Sequence, residues 1–412
     1  MNAWKLSRGG LATVVGLELR QRVRSRRWIW ALVAWFLAIG GVTGVIMWAA
    51  DGLRRGVQQS TWDGSGPLAF GVITLFVLGM GLVIAPTFTA TSINSDRAQN
   101  TLATLQATRL SAVEIALGKL VAAWCTALSF LVAALPFIVV SMVFGNISLW
   151  QVVVCFAVMF AEVAVVCAIG LGWSALFSRT AGSVAMTYVM VVALCWVTLI
   201  LELTLLPLVV EEAPVRVWGV PPAVQRTYDS ALDDYWEKNP NGSEADAPKG
   251  PTPDLCAWYD RTDTVIHLDR VWWLSVANPF VIVSDAAPLP PSAQDDLVSY
   301  TADSADPLAM IRVAVRYSSL PVSYEVDECS YLYSDLGYDV TWDSFGNVVV
   351  KTKDGKVLDA ASPVKQHRLG VESPVWPWGL AVNLAIGGFF FWVAVRRLSV
   401  PYGRLPTGLR VA

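Results

Sequence analysis

Two carboxylates fall where carboxylates are costly. Glu162, in MFAEVAVV, and Glu202, in LILELTLL, each sit inside a long apolar run. Ionisable groups at membrane depth are rare and mark transport pathways, proton relays or paired helices. Glu162 lies near the middle of its run. There a pathway, relay or interhelical pairing role stands beside a plainer one, a protonated side chain hydrogen-bonded to a neighbouring helix. Glu202 lies towards the end of its run, close enough to an interface for ordinary solvation.

Other reactive patterns are missing from the sequence. The two histidines, His267 and His367, have no Cys/His spacing of a zinc site. No G-x-S-x-G elbow presents a nucleophile. No G-x-x-x-x-G-K-[ST] loop cradles phosphates, since Gly118-Lys119-Leu120 lacks both the preceding glycine and the following hydroxyl. We therefore expect no catalytic, metal or cofactor site in this chain. Cys125, Cys155, Cys167 and Cys195 lie in apolar runs and read as small packing residues. Cys256 and Cys329 lie outside them. An oxidising compartment would let these two bridge; two separate buried thiols is the other reading, because spacing does not establish bridge geometry.

The elements that must hold these residues are those of a membrane protein. Of 412 residues, 55% are hydrophobic and 15% charged, against about 25% charged in soluble domains. Six runs reach the roughly 20 residues needed to cross a bilayer: about 28–50, 69–93, 119–145, 149–177, 183–210 and 375–395. Each is expected to cross as a helix, which satisfies its own backbone in lipid. The first run is too long for a signal-peptide core and ends in MWAAD, a poor cleavage site.

Lys and Arg set the orientation. Lys5, Arg8, Arg20, Arg22, Arg24, Arg26 and Arg27 precede span 1. Arg97, Arg109 and Lys119 lie between spans 2 and 3, Arg179 between 4 and 5, and Arg396, Arg397, Arg404 and Arg410 after span 6. The short loops on the other side hold Arg54 and Arg55. Both termini are thus expected in the cytoplasm of a multi-pass protein of the cell membrane, with residues 211–374 outside. The basic arm suits orientation and lipid headgroups better than nucleic acid.

The segment between spans 5 and 6 is acidic, with 13 Lys/Arg and 26 Asp/Glu over about 208–375. It is long enough for a core of its own. Residues 338–359 alternate polar and apolar around SFGN and DG, which predicts a β-meander. DRVWWLSVANPFVIVSDAA, about 269–287, is either an interfacial segment, as its Trp pair suggests, or a buried element. The expected fold is membrane α-helical: six transmembrane helices with a large extracytoplasmic α+β or mainly β insertion between helices 5 and 6. Its parts are an elbow helix with spans 1–5 over 1–210, the outer domain over 211–374, and span 6 with its tail over 375–412.

One polar stretch, Ser95–Lys119, interrupts the apolar runs. Leu102 and Leu105 lie one helical turn apart. SAVE then forms a capping box, in which the Ser111 hydroxyl accepts from the Glu114 N–H while the Glu114 carboxylate reaches back. A short helix, a turn and a capped helix leading into span 3 are expected. The leucine face suits a groove on a partner; lying flat on headgroups is the alternative.

PTFTATSINSDRAQNTLATLQATRLSAVEIALGKLVAAWCTAL resembles the segment after span 2 in permease subunits of type-2 ATP-binding-cassette (ABC) transporters. That family carries acidic-basic-acidic-x-Gly-Thr-Leu, a leucine-rich turn and a Gly-Lys before span 3. Asp96, Arg97, Thr101, Leu102, Gly118 and Lys119 match; Ala98 and Asn100 depart from the pattern. Glu18–Arg27 is similar to the family's elbow helix, and NPFVIVSDAAP to an Asn-Pro-Phe segment of related permeases.

The resemblance implies an exporter permease that pairs with a second permease subunit in the bilayer. A separate cytoplasmic ABC ATPase subunit would bind ATP and Mg. The segment 95–118 would be the coupling helix, with Asp96 and Arg97 as polar contacts and Leu102 and Leu105 as the apolar anchor. Two other classes compete: a multi-span receptor binding a ligand through its acidic outer domain, and a membrane enzyme acting there.

Overall fold

The computed structural model describes residues 4, 6–23, 26–56, 65–99, 110–145, 147–243, 246–289, 305–335, 337–342, 348–351, 357–358 and 373–399. Thr101, Leu102 and Leu105, and most of the tail after span 6, lie outside the described residues.

Among the described residues, six helices are long and apolar enough to cross a membrane: Trp28–Ala49, Gly66–Ala98, Ala112–Val143, Leu149–Leu176, Thr180–Leu208 and Trp376–Leu398 (spans 1–6). The chain is a multi-pass membrane protein. Span 2 runs further than its apolar stretch, because the helix resumes at Ser92 after a turn at Ala90–Thr91 and continues to Ala98. Span 3 begins seven residues before Lys119, because the Ser111–Glu114 capping box starts the helix at Ala112. The helix Arg8–Val23, called the elbow helix below, precedes span 1; it starts ten residues before the stretch 18–27 read as the elbow, and Arg26 and Arg27 belong instead to the helix of span 1.

The bundle has two ends. The elbow helix meets the start of span 3 at one, the elbow face. The segment after span 5 meets the starts of spans 4 and 6 at the other, the insertion face. Span 4 is the axis of the bundle and packs along span 6 and against spans 2, 3 and 5. Small residues set the closeness, as they do where helices pack in lipid. A Cβ on Gly172 would stand 2.6 Å from the Phe390 ring, and one on Gly387 would stand 3.2 Å from the Val165 backbone. Ile39, Ile73, Leu78, Leu82, Leu131 and Met159 fill the core between spans 1–4.

Span 5 contains a π-helical turn, Ala193–Val197. A side chain from another segment bonds into this turn, as is common at such bulges. The Asn278 amide donates to the Cys195 carbonyl at 2.9 Å. Asn278 Oδ1 meanwhile accepts from the Phe280 N–H at 2.9 Å and caps the helix Pro279–Ala286, whose Pro279 needs no donor at the first helical position. Asn-Pro-Phe is thus a cap, a start and a tether in three residues. This helix is buried against spans 2, 4 and 6, so burial is the outcome for its part of 269–287. Trp273, before it, is exposed.

Between spans 5 and 6 the described residues form two small sheets. In the first, β1 (Val210–Gly219) pairs antiparallel with β2 (Ala257–Ile266) and parallel with β3 (Glu325–Asp327). Alternate residues Ala213, Val215 and Val217 of β1 pack with Val265, the period of a strand with one covered face. In the second, β4 (Asp339–Trp342), β5 (Val348–Lys351) and β6 (Val357–Leu358) pair antiparallel in sequence order. That is the meander read from 338–359. Cys256 and Cys329 are joined by a disulfide, with Cα atoms 6.2 Å apart.

Candidate functional site

The polar stretch after span 2 is built into the elbow face by one cation. Lys119 is 3% exposed and lies between two carboxylates, Asp96 Oδ2 at 2.7 Å and Glu18 Oε1 at 2.6 Å. These come from three elements: the extension of span 2, the elbow helix and the first turns of span 3. Arg22, one turn along the elbow helix, stands 3.5 Å from Glu18 and donates to the Phe88 carbonyl of span 2 at 3.2 Å. A buried charge is tolerated only when paired, so these groups must move together or rearrange together.

The capped start of span 3 makes a second joint. The Ser111 N–H donates to Glu114 Oε2 at 2.8 Å and the Glu114 N–H to Ser111 Oγ at 3.1 Å. The other oxygen, Oε1, accepts from the Ser7 N–H at 2.6 Å. One carboxylate therefore closes two helix beginnings, a role beyond the local box that the sequence suggests. Gly118 allows the approach, because a Cβ there would collide with Val14 of the elbow helix at 2.5 Å.

A third joint ties the extension of span 2 and the first residues of the polar stretch to spans 4 and 5. Ser174 Oγ accepts from the Ile93 and Asn94 N–H groups at 3.0 and 3.2 Å. Arg97 Nη2 donates to the Ala175 carbonyl at 3.2 Å. Ser183 of span 5 donates to the Ala90 carbonyl at 2.5 Å. Asp96 and Arg97, which the resemblance assigns to contacts with an ATPase, thus carry contacts within the chain. Lys119 with Glu18, and Ser174, are the members of the junction that spacing along the sequence does not connect.

Within the bundle, Glu162 is fully buried on span 4 and accepts from Asn383 Nδ2 of span 6 at 2.9 Å. The same amide donates to the Ala277 carbonyl at 3.1 Å. Glu162 is therefore an interhelical partner, linking spans 4 and 6 to the loop before Pro279. Glu202 accepts from the Ser275 hydroxyl, so it too is engaged with that loop.

Asp285 anchors the insertion face. Its side chain is 0% exposed and its Oδ1 lies 2.6 Å from Arg316 Nε. Its Oδ2 accepts from the Val375 and Trp376 N–H groups at 2.7 and 2.8 Å. Arg312 donates to the Asp285 carbonyl at 3.0 Å. Burial, then the like charge of Arg316, pulls the Arg312 guanidinium down to about 10. One carboxylate thereby joins the helices Pro279–Ala286 and Pro307–Ser318 to the start of span 6.

The family model for ABC-2 family transporter proteins matches residues 12–216, from the elbow helix through span 5 into β1. No curated protein matches the chain. Members of that family are the membrane subunits of transporters and not themselves the ATPase. The matched region takes in most of the elbow helix, the junction at Lys119 and five of the spans, and the chain belongs to the ABC-2 transporter permease family.

Proposed function

We propose that the chain is the permease subunit of an ABC exporter, driven by a separate ATPase that binds ATP and Mg. Two permease subunits would enclose the substrate path. The elbow face is cytoplasmic in this reading, as the Lys/Arg bias requires, and residues 211–374 are outside.

The observation that carries the proposal is the Lys119 junction. A partner pulling on the segment 95–118 acts through Asp96 on Lys119 of span 3 and its other partner Glu18 of the elbow helix, and through Arg97 on the Ala175 carbonyl of span 4. That is the arrangement needed to turn a push at one point into movement of a bundle. Leu102 and Leu105 provide the apolar anchor for the ATPase, while Asp96 and Arg97 hold the base of the segment to the spans. ATP would favour one conformation only through its differential affinity for it.

The test is purification in mild detergent, with identification of co-purifying chains and an ATPase assay. A partner with a phosphate-binding loop and ATP turnover is expected. Leu102→Asp with Leu105→Asp should release that partner and leave membrane insertion intact. Full retention of the partner in the double variant would remove the coupling role. A stable preparation without any ATPase would favour the receptor reading.

A further inference from the structure

A groove of about 610 Å³ opens between spans 1, 2 and 3. That lies within the roughly 300–1,000 Å³ of small-molecule sites. Ala31, Ala34 and Ala38 form its wall on span 1, and Met80, Ile84 and Phe88 its wall on span 2. The alanines leave the space that larger side chains would fill. Trp35 and Phe130 close its floor, tied by the Trp35 indole donating to the Phe130 carbonyl at 2.7 Å.

One end is polar. Arg22 and Trp28 line it at the elbow face. Arg22 Nη2 is used, on the Phe88 carbonyl and near Glu18. Arg22 Nη1 and the Trp28 indole Nε1 are shut off from solvent and have no acceptor among the described residues. Two such donors on side chains that line this end are an uncompensated cost, which a small turn of those side chains towards an oxygen-rich ligand would relieve. The local charge favours an anion. Glu18 is shared with Lys119, and the side chain of Arg26 is exposed near the same end.

Length decides the rest. From Trp28 to Ala38 a helix rises about 15 Å, half of the ~30 Å hydrocarbon core. The groove is thus one leaflet deep, apolar along its length and cationic at its interfacial end. The geometry points to a binding site for a single anionic phospholipid of the leaflet on the elbow side. Its phosphate would accept from Arg22 and Trp28, and an acyl chain would lie along Ala31, Ala34 and Ala38.

Native mass spectrometry of the protein in detergent tests this, with phosphatidylglycerol and phosphatidylcholine of identical acyl chains. Wild type should retain one phosphatidylglycerol with a preference of ~10-fold, equivalent to one factor of ten in Kd. Arg22→Gln should lose the preference and Arg22→Lys should keep it, which separates loss of charge from loss of fold. Arg20→Gln, on the exposed side of the same helix, should leave it unchanged. Ala34→Trp should exclude both lipids from this site. Equal retention of the two lipids, or an unchanged preference in Arg22→Gln, would overturn the site. So would an equal drop in Arg20→Gln, which would mean diffuse attraction to a basic helix. Displacement of the bound lipid by excess inorganic phosphate would show an anion site and no lipid site.

Discussion

Lys119 Nζ lies 2.7 Å from Asp96 Oδ2 across the junction of spans 2 and 3, at a lysine that is 3% exposed. Removing the cation takes from Asp96 and Glu18 the buried charge they share. Lys119→Met should therefore destabilise by about 3–5 kcal/mol, the range for breaking a buried pair from one side. Thermal unfolding in detergent reads this directly. In the proposed transporter the same variant should keep ATP hydrolysis and lose transport, and unimpaired transport would show that the junction is structural only.

Asp285 holds two helices and the first turn of span 6 through one buried carboxylate. Asp285→Ala removes the carboxylate that Arg316 and the Val375 and Trp376 N–H groups share. A loss of about 3–5 kcal/mol is expected, with hydrogen exchange rising first at the start of span 6. Exchange unchanged there would show that apolar packing alone holds that helix.

The Cys256–Cys329 bridge closes 73 residues of chain. Chain-entropy reasoning gives about 4 kcal/mol at most for a loop of that size. Cys329→Ser, or a reductant, should loosen the β1–β3 sheet and leave the spans unaffected. Limited proteolysis should then cut between spans 5 and 6 in the variant before it does so in wild type.

Glu162 and Asn383 are paired inside the bundle. Glu162→Gln retains the shape and the acceptor for Asn383, whereas Glu162→Ala removes both and leaves a cavity. If pairing is the role, Gln should fold and work like wild type while Ala loses about 2–5 kcal/mol. Loss of transport in the Gln variant with normal thermal stability would instead assign the carboxyl a part in proton movement.

Asp263 gives a pH signature. The hydrogen bond from Arg261, then that from the Thr264 N–H, holds its carboxyl below the usual range. A carboxylate lowered on folding stabilises fully above its unfolded pKa of about 3.9 and loses that contribution as pH falls through the folded value. Exchange protection in β2, corrected for intrinsic rate, should fall on acidification below about pH 4. In Asp263→Asn this part of the fall should be absent.

Particular residues show what is readable along a chain. The Ser111–Glu114 box is four consecutive residues with a fixed helical geometry, so its hydrogen bonds follow from local sequence. The six spans follow from apolar runs, since lipid leaves a lone segment no other way to satisfy its backbone. The meander over 338–359 follows from alternation and turn residues. The start of span 3 is seven residues earlier than its apolar run suggests, because the cap and not hydropathy begins the helix.

The sequence by itself determined that this is a membrane protein with six long apolar helices, an acidic insertion and a polar break after span 2. Those are properties of contiguous residues. Only the tertiary structure decided the partners. Lys119 and Glu18 are 101 residues apart, Glu162 and Asn383 are 221 apart, and Asp285 lies 90 residues before the N–H it accepts from at Val375. Charge pairing is short-ranged and blind to sequence distance. Which carboxylate meets which cation is therefore set by how the helices pack.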